Sequence, residues 1–454
     1  MFRRFSTRRC VRLAVLTTLL ALGVGRAVAS PAPEEALPDI PLPSIPDHTF
    51  KITDHGAVPD GATLNTDAIR KTVEACSAAG GGHVVIPAGK FLSAAFSLAN
   101  NVDLHLEKGA TLLFSNNPGD YTMRANRYPN LLSAEGCHDI SITGEGTIDG
   151  QGQPWWADVL KAKGSADAAT QPHRPFMVSL HNCTRVLVRG VTLTNSPMFH
   201  LVPGGCTDVT IDHVSFIAPA DAPNTDACDP SGWHFLITHC TFDVGDDCIA
   251  IKATGKAPPG HVSCEDFFVT DCTFKHGHGM SIGGQTPGGL RGLIVRDSTF
   301  ENTGAGIRMK ANRGSGGLVE DCTYEHLTMK NVKEPIFIMS YYPDRNAPKK
   351  ADGDPGQAVD ALTPIWRHIR ITDVTSTGSP TAGRIVGLPE MPVSDVVFTN
   401  VKIEADKGLD VWNASGIHFV DSRITVKKAP ALNLEQATDV IGINPKTGEP
   451  EAAQ

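Results

Sequence analysis

Six side chains between residues 226 and 310 have the types and spacing to carry chemistry. They are Asp226, the adjacent pair Asp246 and Asp247, His278 between Gly277 and Gly279, and Arg308 and Lys310 two residues apart. Each has an ordinary reading of its own. Asp is common at turns, where its carboxylate bonds the backbone. A histidine between glycines fits an exposed loop, and cations on the outer face of a strand fit a solvated surface. Together they supply what acid–base cleavage of a glycosidic bond requires, a protonated carboxyl as proton donor and an ionised carboxylate for water or the sugar. Crowding raises the pKa of one acid among several and keeps it protonated. Arg and Lys beside such acids would hold an anionic sugar, such as a uronate, by its carboxylate. Gly277 and Gly279 would let the chain approach a bulky substrate closely. No C-x-x-C or H-x-x-H spacing supports zinc.

These residues converge only if the elements carrying them repeat. From about Val84 the chain is a series of short apolar-alternating runs broken by Gly, Asn and Asp, the pattern of strands and turns. The runs VLVRGVTL, VTIDHVSF, FLITHCTF, FFVTDCTF, LIVRDSTF and LVEDCTY end at Leu193, Phe216, Phe242, Phe274, Phe300 and Tyr324, at spacings of 23, 26, 32, 26 and 24 residues. A period of 23–32 residues holding two or three short strands predicts an all-β solenoid, a parallel β-helix. A propeller blade needs four strands in some 40 residues, and a leucine-rich horseshoe needs intervening helices. Alternation turns Ile249/Ile251, Met280/Ile282 and Ile307/Met309 inward and Arg308 and Lys310 outward. Asp246 lies four residues past Phe242 and His278 four past Phe274, and Asp226 precedes Asp246 by roughly one coil. Adjacent coils therefore bring all six residues to one patch.

Composition sets the boundaries. With 44 Gly and 32 Pro, and 20% charged against 41% hydrophobic residues, the 454-residue chain is turn-rich, neither a helical bundle nor a disordered acidic chain. Residues 1–29 read as a signal peptide, with a basic start, the apolar run Leu13–Val24 and a small-residue Ala27-Val28-Ala29 site. Cleavage removes six Arg and lowers the formal charge from −9 to −15, which argues against nucleic acid as a partner. Residues 30–48 read as a Pro-rich linker, 49–428 as the β-helix and 429–454 as a tail. Helical spacing of Ile69, Val73 and Cys76 predicts a short N-terminal capping helix over Thr66–Ala78. The ten cysteines after Cys10 could pair in an oxidising compartment or serve as small interior side chains.

With these residues in hand, the sequence resembles the polygalacturonase family of glycoside hydrolases. The resemblance rests on Asn224-Thr225-Asp226, Gly245-Asp246-Asp247, Gly277-His278-Gly279 and Arg308-Met309-Lys310 in that order. GTIDGQG at 146–152, Trp155-Trp156, Asn195-Ser196-Pro197 with His200, and Tyr341-Tyr342 support it over about residues 50–425. It implies a right-handed β-helix that cleaves α-1,4-galacturonosidic bonds of homogalacturonan with inversion. Asp246 would be the general acid, Asp226 and Asp247 would position and deprotonate water, and His278 would support the proton balance. Asn224, Arg308, Lys310 and Tyr342 would bind galacturonate. Neither a metal nor an organic cofactor is implied, and the exported protein is expected to be a monomer, secreted or periplasmic and free of membrane after signal cleavage. Cys228 departs from the apolar residue that relatives carry there. The long segments Asn116–Glu135 and Asp344–Thr363 favour attack at chain ends. Two rivals stay open: a β-helical lyase using the three Asp as calcium ligands, and a module that only binds anionic glycans.

Overall fold

The computed structural model describes residues 38–162, 173–343, 347–348 and 353–451. The signal segment 1–29 lies outside the described residues. From Thr49 to Ile441 short strands pair in parallel with the equivalent strand one coil away, because each coil presents backbone groups that only its neighbours can satisfy. The fold is the right-handed parallel β-helix that the repeat and the resemblance predict.

One interior column shows how sequence sets the register. Leu193, Phe216, Phe242, Phe274 and Phe300 stand opposite one another on successive coils. The four phenylalanines are fully buried, and their ring centroids stack at 5.2, 4.8 and 4.2 Å. Such contacts contribute roughly 0.5–1.5 kcal/mol each beyond burial. The column does not continue to Tyr324 as its spacing suggested. Phe300 faces Met329, and Tyr324 faces Val295 in the neighbouring column. The shared D-x-T-aromatic ending of the two runs conceals a five-residue offset, since Leu318–Lys330 runs through the corner as one long strand.

The corners explain the many Asp, Asn and His between strands. His213, His239, Asp271 and Asp297 all turn at φ of 48–54°, and His234, Asp266, Asp321 and His368 at 54–58°. Short polar side chains tolerate this left-handed region better than apolar ones.

The first turns are covered by the predicted helix Thr66–Ala78, with Ile69, Val73 and Cys76 buried. Gln153–Ala162 forms a second helix that periodicity did not reveal. It carries Pro154 in its first turn and buries Trp155 and Trp156, and Trp156 Nε1 donates to the Ser196 carbonyl at 2.9 Å. The solenoid also runs further than its hydrophobic pattern indicated. Arg423–Ile441 pairs in parallel with Lys402–Val420, past the expected end at 428. Only one face of this last coil meets neighbours, so its alternation fades, and a turn over 443–451 closes it. All ten cysteines after Cys10 are free thiols and nine are buried, which is the interior role.

Candidate active site

The strands Ile249–Ile251, Met280–Gly283 and Ala305–Lys310 lie side by side on three coils. Their registers place Ala250, Ser281 and Arg308 in one outward row, and Gly283 and Lys310 in the next, with Lys252 one residue past the end of its strand. The turn before each strand supplies the acids and the histidine. The His278 amide donates to the Asp246 carbonyl at 2.9 Å, so the predicted shared register of these residues holds. One coil earlier, Thr225 Oγ1 accepts from the Gly245 amide and the Ala227 amide donates to the Asp247 carbonyl, which fixes Asp226 beside the Asp pair.

The glycines act differently from the expectation. A Cβ on Gly277 (φ +90°) would lie 2.2 Å from the Asp246 carbonyl oxygen, and one on Gly279 (φ +74°) 2.0 Å from that of Ala305. They are required for close approach to neighbouring coils, which in turn seats His278.

The three carboxylates occupy different environments. Asp247 is buried and fully engaged. Its Oδ1 accepts from Ser281 Oγ at 3.0 Å and Arg308 Nη1 at 2.5 Å, and its Oδ2 accepts from Lys310 Nζ at 2.6 Å. Burial opposes its charge, but Lys310, His278, Arg308 and Lys252 outweigh that cost and hold its carboxyl well below the usual range. Asp226 is the opposite case. It is 3% exposed, its Oδ1 has no hydrogen-bond partner, and Lys252 Nζ lies 3.9 Å from Oδ2. Burial first, then the charges of Asp229, Asp246 and Asp247, push its carboxyl well above the usual range. Asp246 alone of the three opens toward solvent, with 24% of its side chain exposed. Its Oδ1 accepts from His278 Nδ1 at 3.1 Å and from the Asp247 amide at 2.9 Å. Hydrogen bonds to Asp246 and Asp247 raise the His278 pKa, which favours an imidazolium bridging the two.

Arg308 and Lys310 were read as outward cations. They leave the strand on its outer face, yet Lys310 is 3% exposed because Asp247 draws it down. Tyr342 covers both, its ring centroid 5.1 Å from Lys310 Nζ and 5.8 Å from Arg308 Cζ. Asn224 stands at the opposite edge, where its Oδ1 accepts from Arg174 Nη2 at 2.8 Å. Asn224, Asp226, Asp246, Asp247, Lys310 and Tyr342 line one groove of about 530 Å³. His278 and Arg308 reach it through Asp246 and Asp247. Every candidate residue is thus brought together.

Three further residues belong to the cluster. Lys252 follows Ile249-Ala250-Ile251 as Lys310 follows Ile307-Arg308-Met309, so the alternation that found Lys310 also marks it. Asp229, three residues after Asp226, is 2% exposed and 3.5 Å from Lys252 Nζ, and burial lifts its carboxyl to about 6. Arg174 caps the Asn224 edge through the Pro197 and Pro223 carbonyls, and nothing in its local sequence marks it. Asp246, Asp247 and His278 place three donor atoms within 4.8 Å of one another. This set does not suit calcium, which takes six to eight oxygens, because Arg308 and Lys310 already occupy the Asp247 oxygens.

The model of "Glycosyl hydrolases family 28" matches residues 76–426. A "Probable polygalacturonase" of Vitis vinifera is 28% identical over 83% of this chain and 79% of its own length. An "Endo-polygalacturonase" of Pectobacterium carotovorum subsp. carotovorum is 29% identical over 77% and 87%. Among solved structures, an exopolygalacturonase from Thermotoga maritima superposes with a TM-score of 0.68 at 26% identity, covering 85% of this chain and 94% of that one.

Proposed function

Because the chain belongs to glycosyl hydrolases family 28 and is a pectin-degrading glycoside hydrolase, we propose that it cleaves α-1,4-galacturonosidic bonds of homogalacturonan, with inversion and from chain ends. The observation that carries the reading is the division of labour among three acids in one groove. Asp246, open to the groove, gives its proton to the leaving oxygen. Asp247, held ionised, draws the proton from water, and Asp226 positions that water with it. His278 bridges Asp246 and Asp247 and restores the proton to Asp246 after each turnover.

Substrate binding feeds into this chemistry. A galacturonate carboxylate reaching Arg308 and Lys310 competes with Asp247 for them. As positive charge shifts toward the substrate, Asp247 becomes more basic, so its base strength rises only when the site is filled. Tyr342 covers the sugar on one side and Asn224 contacts it on the other.

Attack at chain ends is supported by the walls. Arg174 closes the Asn224 edge. At the Tyr342 edge, Tyr341 Oη donates to Asp354 at 2.8 Å, and Arg313 binds Asp354 at 2.7 Å and Glu390 at 2.6 Å. These ties hold Asp354 and Glu390 together beyond Tyr342, and a long wall there suits a chain terminus better than a chain interior. The export segment at residues 1–29 supports a secreted or periplasmic protein. Among the described residues no helix is long and apolar enough to cross a membrane.

The test is incubation of the purified protein with de-esterified polygalacturonate, with and without chelator. New reducing ends, galacturonate monomer as first product, no absorbance from unsaturated uronide and indifference to chelator are expected. Absorbance abolished by chelator would make it a lyase. Binding without any product would make it a glycan-binding module.

A further inference from the structure

Beside the catalytic groove lies a second recess of about 510 Å³, a size typical of small-ligand sites. The two share Phe199, Lys252 and Gln285, so one opens into the other. Resting on the reading of the enzyme as a galacturonan hydrolase, we propose that this recess is a distal subsite for a further galacturonate unit of the same chain, built on Trp233 and Lys256.

Trp233 begins the strand Gly232–Thr238, held in register between Thr207 and Glu265 on the adjoining coils. The ring is half-buried, and its Nε1 donates to the Val262 carbonyl at 3.2 Å. An indole fixed by its one polar atom and lining the recess is a platform for the C–H face of a pyranose. The indole has no aromatic stacking partner among the described residues.

Lys256 supplies the charge. It is exposed on the rim, and no ion pair to it is present among the described residues. By contrast, the other basic groups nearby are committed, His181 to Glu135 at 2.9 Å and Lys252 to Asp229 and Asp226. The loop presenting Lys256 is anchored on both sides. The Thr254 amide donates to the Lys252 carbonyl at 2.9 Å, the Gly288 amide to Ala253 at 2.7 Å, and Pro258-Pro259 stiffen the turn between them. A free cation on a stiff loop and an indole lining the same recess match the two features of a uronate, a carboxylate and an apolar ring face. Lys252, its Nζ 5.8 Å from the Phe199 ring, stands at the passage between the sites. A chain with its scissile bond at Asp246 would thus pass Phe199 and Lys252 into this recess.

The test compares digalacturonate, hexagalacturonate and polygalacturonate as substrates for wild type, Trp233→Ala, Trp233→Phe, Lys256→Ala and Lys256→Glu. The alanine variants are expected to lose about tenfold more kcat/KM on the hexamer and polymer than on the dimer, chiefly through KM. Lys256→Glu should lose more than Lys256→Ala, and Trp233→Phe should retain most of the length preference. Lys256 is a rim side chain, so its variants keep the test decisive even if Trp233→Ala folds poorly. An equal loss at every length, or none at any, overturns the subsite while leaving the hydrolase intact. Wild-type protein inert toward all three substrates overturns the function, and the subsite falls with it.

Discussion

At the scale of single residues, the site separates three chemically identical side chains by environment alone. Asp247 meets two buried cations and stays ionised, Asp226 meets buried space and other acids, and Asp246 meets solvent and His278. Asp246→Asn removes the donated proton without changing shape. Its kcat on polygalacturonate should fall by about 10²–10⁴-fold, with circular dichroism unchanged; retention of near-full activity would remove Asp246 from the mechanism. Lys310 has a structural consequence as well. Breaking a buried pair leaves an uncompensated charge and costs about 3–5 kcal/mol, so Lys310→Met should lower Tm markedly at pH 7. A depressed carboxyl pKa contributes stability above its unfolded value, near 3.9, and loses it as pH falls through the folded one. The Tm gap between wild type and Lys310→Met should therefore close progressively below about pH 4. A gap constant across pH would show that packing, not the Asp247 charge, is what Lys310 supplies.

At the scale of elements, the site was legible because the repeat is. Phe242 and Phe274 mark equivalent points on adjacent coils, so counting four residues from each finds Asp246 and His278 without any structure. The same counting failed at Tyr324, where similar endings disguise different columns. It also could not see Arg174, which reaches Asn224 from a segment outside the repeat. Lys252 was visible in principle, since the alternation that found Lys310 also marks it. Asp229 was harder, because turn duty explains an Asp after Cys228 equally well until its burial is known. The faded pattern after Lys427 hid a genuine strand, since alternation records burial and the last coil has a neighbour on one side only. The phenylalanine column offers a direct check. Phe274→Ala removes a ring stacked on two others and should cost about 3–5 kcal/mol. Denaturant unfolding with a midpoint near wild type would contradict close packing of that column.

For the whole molecule, a solenoid is stable only if both ends are closed. The helix Thr66–Ala78 covers the first turns, and Arg423–Ile441 with its terminal turn covers the last. A chain ending at Ser422 would uncover Ile403, Val411 and Ile417, each 0–1% exposed in the full chain. It should aggregate under conditions where the full chain stays soluble, as read by light scattering; a soluble truncated chain of unchanged Tm would show that the last coil is dispensable. Charge is also arranged at this scale. On a body of net charge −9, Lys252, Arg308 and Lys310 gather at one groove, so an anionic polymer is attracted there. The central claim is that water, activated by ionised Asp247, attacks the sugar directly while Asp246 donates a proton. Proton NMR of the first turnovers on an α-linked oligogalacturonate tests it most directly. The account predicts that β-galacturonate appears first and mutarotates later. An α-anomer appearing first, or an unsaturated uronide in its place, would contradict it.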